Sequence, residues 1–132
     1  MCRDIYDGVR EARPKDLRAL LNLIRPLEAD GTLVKRPREA IKRMCEAGEF
    51  YVVEREGTVM ACATLKLFSG EPYKSTTADT LHDVIAEIGC IAVNQTARKA
   101  GNGNALVSFL LRKASLLVSR LPRPSGGVRF RR

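Results

Sequence analysis

Residues Ala86–Val107 read AEIGCIAVNQTARKAGNGNALV: a short apolar run, a turn carrying Arg98, Gly101 and Gly103 as Arg-x-x-Gly-x-Gly, then apolar residues at helical spacing. Two glycines at a strand-to-helix junction let the backbone approach a ligand where a Cβ would stand in the way. The first-turn N–H groups of a helix have no intrahelical partner and carry the positive end of its dipole. Together these features favour an anion such as a pyrophosphate, and Arg98 adds a forked, permanently charged donor. The same residues also fit a Gly-rich loop ahead of a core helix, because short Gly patterns recur by chance. The stretch is neither of the two commonest nucleotide loops. No G-x-x-x-x-G-K-[ST] run exists, and a G-x-G-x-x-G reading fails at Leu106.

The Arg98, Gly101, Gly103 spacing resembles the [QR]-x-x-G-x-[GA] element of the GNAT acetyltransferase superfamily. The resemblance implies that this loop and helix start hold the pyrophosphate of acetyl-CoA. It also implies a general base on the preceding strand, where Glu87 stands. A second stretch, Leu23–Arg38 (LIRPLEADGTLVKRPR), resembles the acetyltransferase domains of N-acetylglutamate synthases. The likeness extends over Val9–Leu67 and Glu87–Arg120.

What the resemblance implies is an α/β (α+β) fold: a mixed sheet with flanking helices, in the order β-α-α-β-β-β-α. The activity it implies is transfer of an acetyl group from acetyl-CoA to the α-amino group of an amino acid, L-glutamate, as in arginine biosynthesis. The expected cofactor contacts are Ile91, Ala92 and Val93 along the strand, then Arg98, Lys99, Ala100, Gly101, Asn102, Gly103 and Asn104. A backbone N–H near Cys90–Ala92 would polarise the thioester carbonyl. Glu87 would take the proton of the attacking amine, though a solvated strand-end carboxylate is the plainer reading. Arg25, Lys35 and Arg36 would hold the acceptor's carboxylates, or simply form a solvated basic face. No metal is implied.

Around these motifs the chain divides into an extension at 1–8, the acetyltransferase-like domain at 9–120 and a basic tail at 121–132. Val9–Arg13 reads as a strand. Pro14 opens a helix with Leu17, Leu20, Leu21, Ile24 and Leu27 on one face, and Pro26 is expected to kink or end it. Pro37–Ala47 reads as a second helix with Ile41, Met44 and Cys45 inward and Gly48 as its stop. Phe50–Glu54 and Thr58–Leu67 form a hairpin about Arg55–Gly57. Ala86–Val93 is the next strand. Gly103–Arg120 is a helix with the stripe Val107, Leu110, Leu111, Ala114, Leu117 and Val118.

Two departures from the family stand out. Phe68–Ile85 is longer than a tight turn between strands. The tail, with Pro122, Pro124, Gly126 and Gly127, reads as irregular, so the family's C-terminal elements are expected to be missing and the edge of Ala86–Val93 unpaired. This leaves a second reading open: a catalytically inactive, truncated domain that binds acetyl-CoA weakly or presents its sheet edge to a protein partner, a homo-oligomer included.

Composition excludes several classes. A chain of 132 residues, 45% hydrophobic, suits one domain with a sizeable core. The net charge of +8 suggests nucleic acid, but five arginines and no acids lie in 120–132, leaving 18 basic against 15 acidic residues elsewhere. The tail carries a single aromatic, Phe130, and no repeated aromatic interleaving for base stacking, so no nucleic-acid partner is expected. No run is long and apolar enough for a membrane span. Cys2, Cys45, Cys62 and Cys90 contain no C-x-x-C pair, and His82 is the sole histidine. This argues against zinc and against a Cys-His nucleophile, with Cys62 and Cys90 read as small buried strand residues. A reducing, cytoplasmic compartment is expected, or a plastid or mitochondrion if a longer parent chain carries a transit peptide.

Overall fold

The computed structural model describes residues 8–69, 84–95, 101–119 and 128–131. Its strands are β1 (Val9–Glu11), β2 (Phe50–Arg55), β3 (Thr58–Ser69), β4 (Val84–Val93) and β5 (Val128–Arg131). Its helices are α1 (Leu17–Ala29), α2 (Arg38–Glu46) and α3 (Asn102–Ser119). The strands form one sheet in the order β1-β2-β3-β4-β5, antiparallel from β1 to β4 and parallel between β4 and β5. Among the described residues no helix is long and apolar enough to cross a membrane.

Helices cover both faces. Phe50, Val52 and Cys62 pack with Leu20 and Ile24 of α1 and Ile41 and Cys45 of α2. Tyr51, Val53, Ala61, Ala63 and Leu65 pack with Leu106, Leu110 and Ala114 of α3. The period-2 alternation of β2 therefore feeds two cores, one per face. The buried line of α3 is Leu106–Leu110–Ala114. Leu111, expected in the stripe, is 40% exposed. A 3.6-residue period fixes the width of an apolar face but not which of two flanking leucines the sheet reaches.

The β2–β3 connection is a two-residue turn in which both Glu56 (φ 52) and Gly57 (φ 77) are left-handed, as the twist of a tight hairpin requires. Pro14–Asp16 forms a 3-10 turn rather than the first turn of α1. Pro26 neither ends nor breaks α1, which continues to Ala29. Ile24 and Glu28 are both buried, and their packing holds the last turn in place. Asp30 N–H then closes that turn onto the Pro26 carbonyl at 3.2 Å.

Two expectations about the ends of the sheet need correction. The tail is not irregular throughout: Val128–Arg131 is a strand paired in register with Val84–Glu87. The edge of β4 is accordingly covered over that half. Val-Arg-Phe-Arg is too short to stand out as a strand in sequence, and a parallel strand forms only once a crossover brings it beside its partner. The connection between β3 and β4 is shorter than 68–85, because Phe68, Ser69, Val84 and Ile85 pair within the ladder. Residues 70–83, with His82, lie outside the described residues.

Candidate active site

β4 is regular only as far as Gly89. Thr64 pairs with Gly89 but Cys62 pairs with Ala92, so β4 spends three steps where β3 spends two. This is a β-bulge, and Cys90 within it adopts φ 51, a left-handed conformation uncommon for a residue with a Cβ. The bulge reverses which residues face which core. Ala86 and Ile88 lie in the α3 core, whereas Cys90 and Ala92, two and four residues on, lie in the α1/α2 core. Strained, face-switching backbone of this kind concentrates at functional sites.

The register of β5 ends at Arg131 opposite Glu87. From Ile88 to Val93, no described residue pairs with the outer edge of β4. That edge leads from the bulge to the start of α3. Gly101, at φ 77, turns the chain into the helix, and its carbonyl accepts the first helical bond from Ala105 N–H at 2.9 Å. A Cβ at Gly103 would stand 3.1 Å from Val93 Cγ2. Gly103 thus serves the close approach of α3 to β4, and Gly101 serves the left-handed turn, so each glycine has its own steric reason.

Most residues singled out in the sequence now have a place. Ile91 is 41% exposed and Val93 half-buried, both on the α3 side of the open edge. Ala92 is buried in the α1/α2 core, so it offers a ligand only its backbone. Asn102 is buried, and its Oδ1 accepts a hydrogen bond from Arg55 Nε at 3.4 Å. Asn104 is exposed at the helix start. Arg98, Lys99 and Ala100 lie outside the described residues.

Glu87 is half-buried and stands in register between Lys66 of β3 and Arg131 of β5. Its neighbours Ala86 and Ile88 face α3, so pleating turns Glu87 to the α1/α2 side, the side on which Cys90 lies. Lys66 Nζ also approaches Glu49 Oε1 at 3.2 Å.

The loop from α1 to α2 brings Arg25, Lys35 and Arg36 around one cleft, which Glu28, Ala29 and Pro37 complete. Their roles differ. Arg25 Nη1 donates to Glu28 Oε1 and to the Arg36 carbonyl, the latter at 2.7 Å. The charge of Arg25 is therefore already matched. Glu28, buried at the end of α1, also accepts the Arg36 N–H at 2.8 Å. The Arg25 hydrogen bond, and then the Arg36 N–H, hold the Glu28 carboxyl below its usual range. Arg36 itself reaches β4, its Nη1 donating to Cys90 Sγ at 3.8 Å. Lys35 is exposed.

Burial pushes the Cys90 thiol up, and the Arg36 guanidinium opposes it. Cys62, fully buried beside it, is pushed up by burial more strongly. Burial thus disfavours the thiolate at both, less so at Cys90, where Arg36 opposes it. Cys45, Cys62 and Cys90 are free thiols, as the widely spaced cysteines suggest. Among the described residues, no group of three or more His, Cys, Asp or Glu could hold a metal ion.

Sequence reasoning missed the bulge and the buried acid that organises the loop. AEIGCIAV carries no signal for the bulge: Ala86, Ile88, Cys90 and Ala92 read as one continuous period-2 face, whereas the fold puts Cys90 and Ala92 in the other core and returns Val93 to that of Ala86 and Ile88.

Comparison with known proteins agrees with this geometry. Residues 16–119 match the model of the acetyltransferase (GNAT) family. An amino-acid acetyltransferase of Azotobacter vinelandii (strain DJ / ATCC BAA-1303) is 38% identical over 112 residues, which are 85% of this chain and 23% of that protein. N-acetylglutamate synthase from Neisseria gonorrhoeae, solved with coenzyme A and N-acetyl-glutamate, superposes with a TM-score of 0.64 at 34% identity. That match covers 80% of this chain and 22% of the synthase chain. A Mycobacterium tuberculosis protein solved in complex with CoA superposes with a TM-score of 0.61 at 26% identity, covering 83% of this chain and 58% of its own. This chain thus spans about a quarter of the length of the amino-acid acetyltransferases it matches.

Proposed function

Because the chain belongs to the acetyltransferase (GNAT) family, we propose that it binds acetyl-CoA along the outer edge of β4 and moves the acetyl group to the α-amino group of an amino acid, L-glutamate. The observation that carries this reading is the bulge at Cys90, lying just beyond the point where β5 stops covering β4. From there an open edge runs to the N-terminus of α3. The pyrophosphate sits on the first-turn N–H groups of α3, with Arg98 and Lys99 as expected cationic partners. The pantetheine amides take the place of a neighbouring strand along Ile91–Val93. The bulge turns a backbone N–H of Cys90–Ala92 toward the thioester carbonyl oxygen, where it stabilises the developing oxyanion.

Glu87 accepts a proton from the acceptor ammonium, freeing the nitrogen lone pair. The nitrogen attacks the thioester carbon, the tetrahedral intermediate gives up its second N–H proton to solvent and collapses, the C–S bond breaks, and coenzyme A leaves as thiolate to be protonated from solvent. Arg36 and Lys35 face the acceptor's carboxylates, while Arg25 is occupied by Glu28. Support for an amino-acid acceptor comes from the names of the relatives and from the cationic cleft beside the bulge.

The first test is calorimetric titration of the purified protein with acetyl-CoA, beside the Arg98→Ala/Gly101→Val double variant. Binding lost in the variant supports the cofactor site. Glutamate-dependent release of coenzyme A is then expected to fall by roughly 10²–10⁴-fold in Glu87→Gln. Wild-type turnover in that variant removes Glu87 from the base role. A folded protein that binds acetyl-CoA but releases no coenzyme A with any amino acid replaces the enzyme reading with that of a binding module.

A further inference from the structure

Glu28 is the one acid in α1, and its side chain is 3% exposed. A buried carboxylate is costly unless every charge and lone pair finds a partner. Its partners here converge on a single residue eight positions on. Glu28 Oε2 takes the Arg36 N–H, and Arg25 Nη1, while paired with Glu28 Oε1, donates onward to the Arg36 carbonyl. Both peptide groups of Arg36 are thus tied to one ion pair on a helix. The segment between Gly31 and Pro37 has no regular structure of its own to locate that residue. From this anchored backbone the guanidinium reaches the bulge of β4 at Cys90 Sγ, 54 residues away in sequence.

We propose that the Arg25–Glu28 pair is a positioning device: Glu28 sets the place of the Arg36 guanidinium over Cys90 and, through it, the grip on the acceptor's carboxylate. The second half of this statement rests on the acceptor reading above. Glu28, its side chain 3% exposed, acts through Arg36, and a carboxylic acceptor lacking its Arg36 contact loses affinity rather than reactivity.

The test uses Glu28→Ala, Glu28→Gln, Arg36→Ala and the Glu28→Ala/Arg36→Ala double variant, with two readouts. One needs no ligand: the rate at which iodoacetamide alkylates Cys90, followed by peptide mass spectrometry with buried Cys62 as internal control. Glu28→Ala and Arg36→Ala are expected to change that rate in the same direction by the same factor, at least about threefold, and the double variant is expected to add nothing. Glu28→Gln, which keeps an acceptor for the Arg36 N–H, stays near wild type. Additive effects, or an unaltered rate in Glu28→Ala, overturn the proposal.

The second readout is the KM for L-glutamate. It is expected to rise about tenfold in Glu28→Ala and in Arg36→Ala, with kcat and the KM for acetyl-CoA within about twofold and with rescue by Glu28→Gln. A rise in Arg36→Ala but not in Glu28→Ala overturns the positioning role. If neither glutamate KM moves while alkylation behaves as expected, the positioning of Arg36 stands and the acceptor reading fails.

Discussion

The two edges of the sheet are built on opposite plans. At β1 the edge is three residues long and sealed by charge. Arg10 makes a two-pronged pair with Asp16 at 2.7 and 3.0 Å and a third contact with Glu54 at 3.3 Å. Asp16 also accepts the Arg13 N–H at 2.7 Å, capping the turn that leads into α1. A short, charged edge resists pairing with another chain. At the other side, β4 is ten residues long, covered by β5 for only its first half, then bulged and left-handed at Cys90. One edge spends its polar groups on itself. Among the described residues, the other leaves Ile88–Val93 with no neighbouring strand on its outer side. The charged edge and the edge proposed for the cofactor therefore lie on opposite sides of the sheet, and substitutions at each should read out differently.

Deletion of Cys90 tests that division most severely. Removing the extra residue restores regular pleating with Ala92 still opposite Cys62 and Val93 opposite Ala61, so the α1/α2 core loses the Cys90 side chain and its contact with Arg36. We expect a loss of about 3 kcal/mol in urea unfolding, together with loss of coenzyme A binding. A deletion variant that unfolds like wild type would show that the bulge is incidental to the core.

A smaller effect is expected where α3 meets the open edge. Gly103→Val forces side-chain atoms against Val93 and should cost about 2 kcal/mol and weaken coenzyme A binding about tenfold. Among the described residues, the methyl of Gly101→Ala meets no atom within 4 Å. It should cost only the left-handed backbone penalty, about 1 kcal/mol. Equal effects in the two variants would erase the distinct steric roles assigned to them.

The sealed edge should respond least, and through pH. The Arg10 hydrogen bonds, followed by the Arg13 N–H, hold the Asp16 carboxyl below its ordinary value near 3.8, against the opposing effect of burial. A depressed carboxyl stabilises the fold above its unfolded value, and that contribution disappears as pH falls through the folded one. Asp16→Asn should cost about 1.5 kcal/mol at neutral pH. It should also flatten the stability–pH curve below about pH 4, with coenzyme A binding at pH 7 unchanged. A variant whose acid limb still tracks the wild type would assign that limb to other carboxylates.

Much of this molecule was legible beforehand where the pattern is local. Leu17, Leu20 and Ile24 and then Ile41 and Cys45 fell on the faces expected of them. Gly48 ended α2 in a left-handed conformation (φ 75), and Gly57 sits in the hairpin turn. The Arg98–Gly103 spacing located the strand-to-helix junction, and the strand carrying Glu87 was found within two residues of its start. Sequence offers Lys35 and Arg36 as carboxylate partners with Arg25 behind them. The structure separates them, because Glu28 looks like one more surface acid until α1 is seen to bury it. The tail was read as irregular because a four-residue strand carries too little pattern to compete with the prolines and glycines before it.

By itself, the sequence determined the helices, the hairpin, the glycine turn into α3 and the family, since each rests on spacing within a few residues or on a contiguous motif. Only the tertiary structure decided where β4 changes face, which cation Glu28 holds and how β5 pairs with the first part of the β4 edge. Each of those depends on a partner distant in sequence: β3 for the bulge, Glu28 and Cys90 for Arg36, and β5 for the edge. Neither a bulge nor a buried charge can be located until the groups that satisfy its hydrogen bonds are in place.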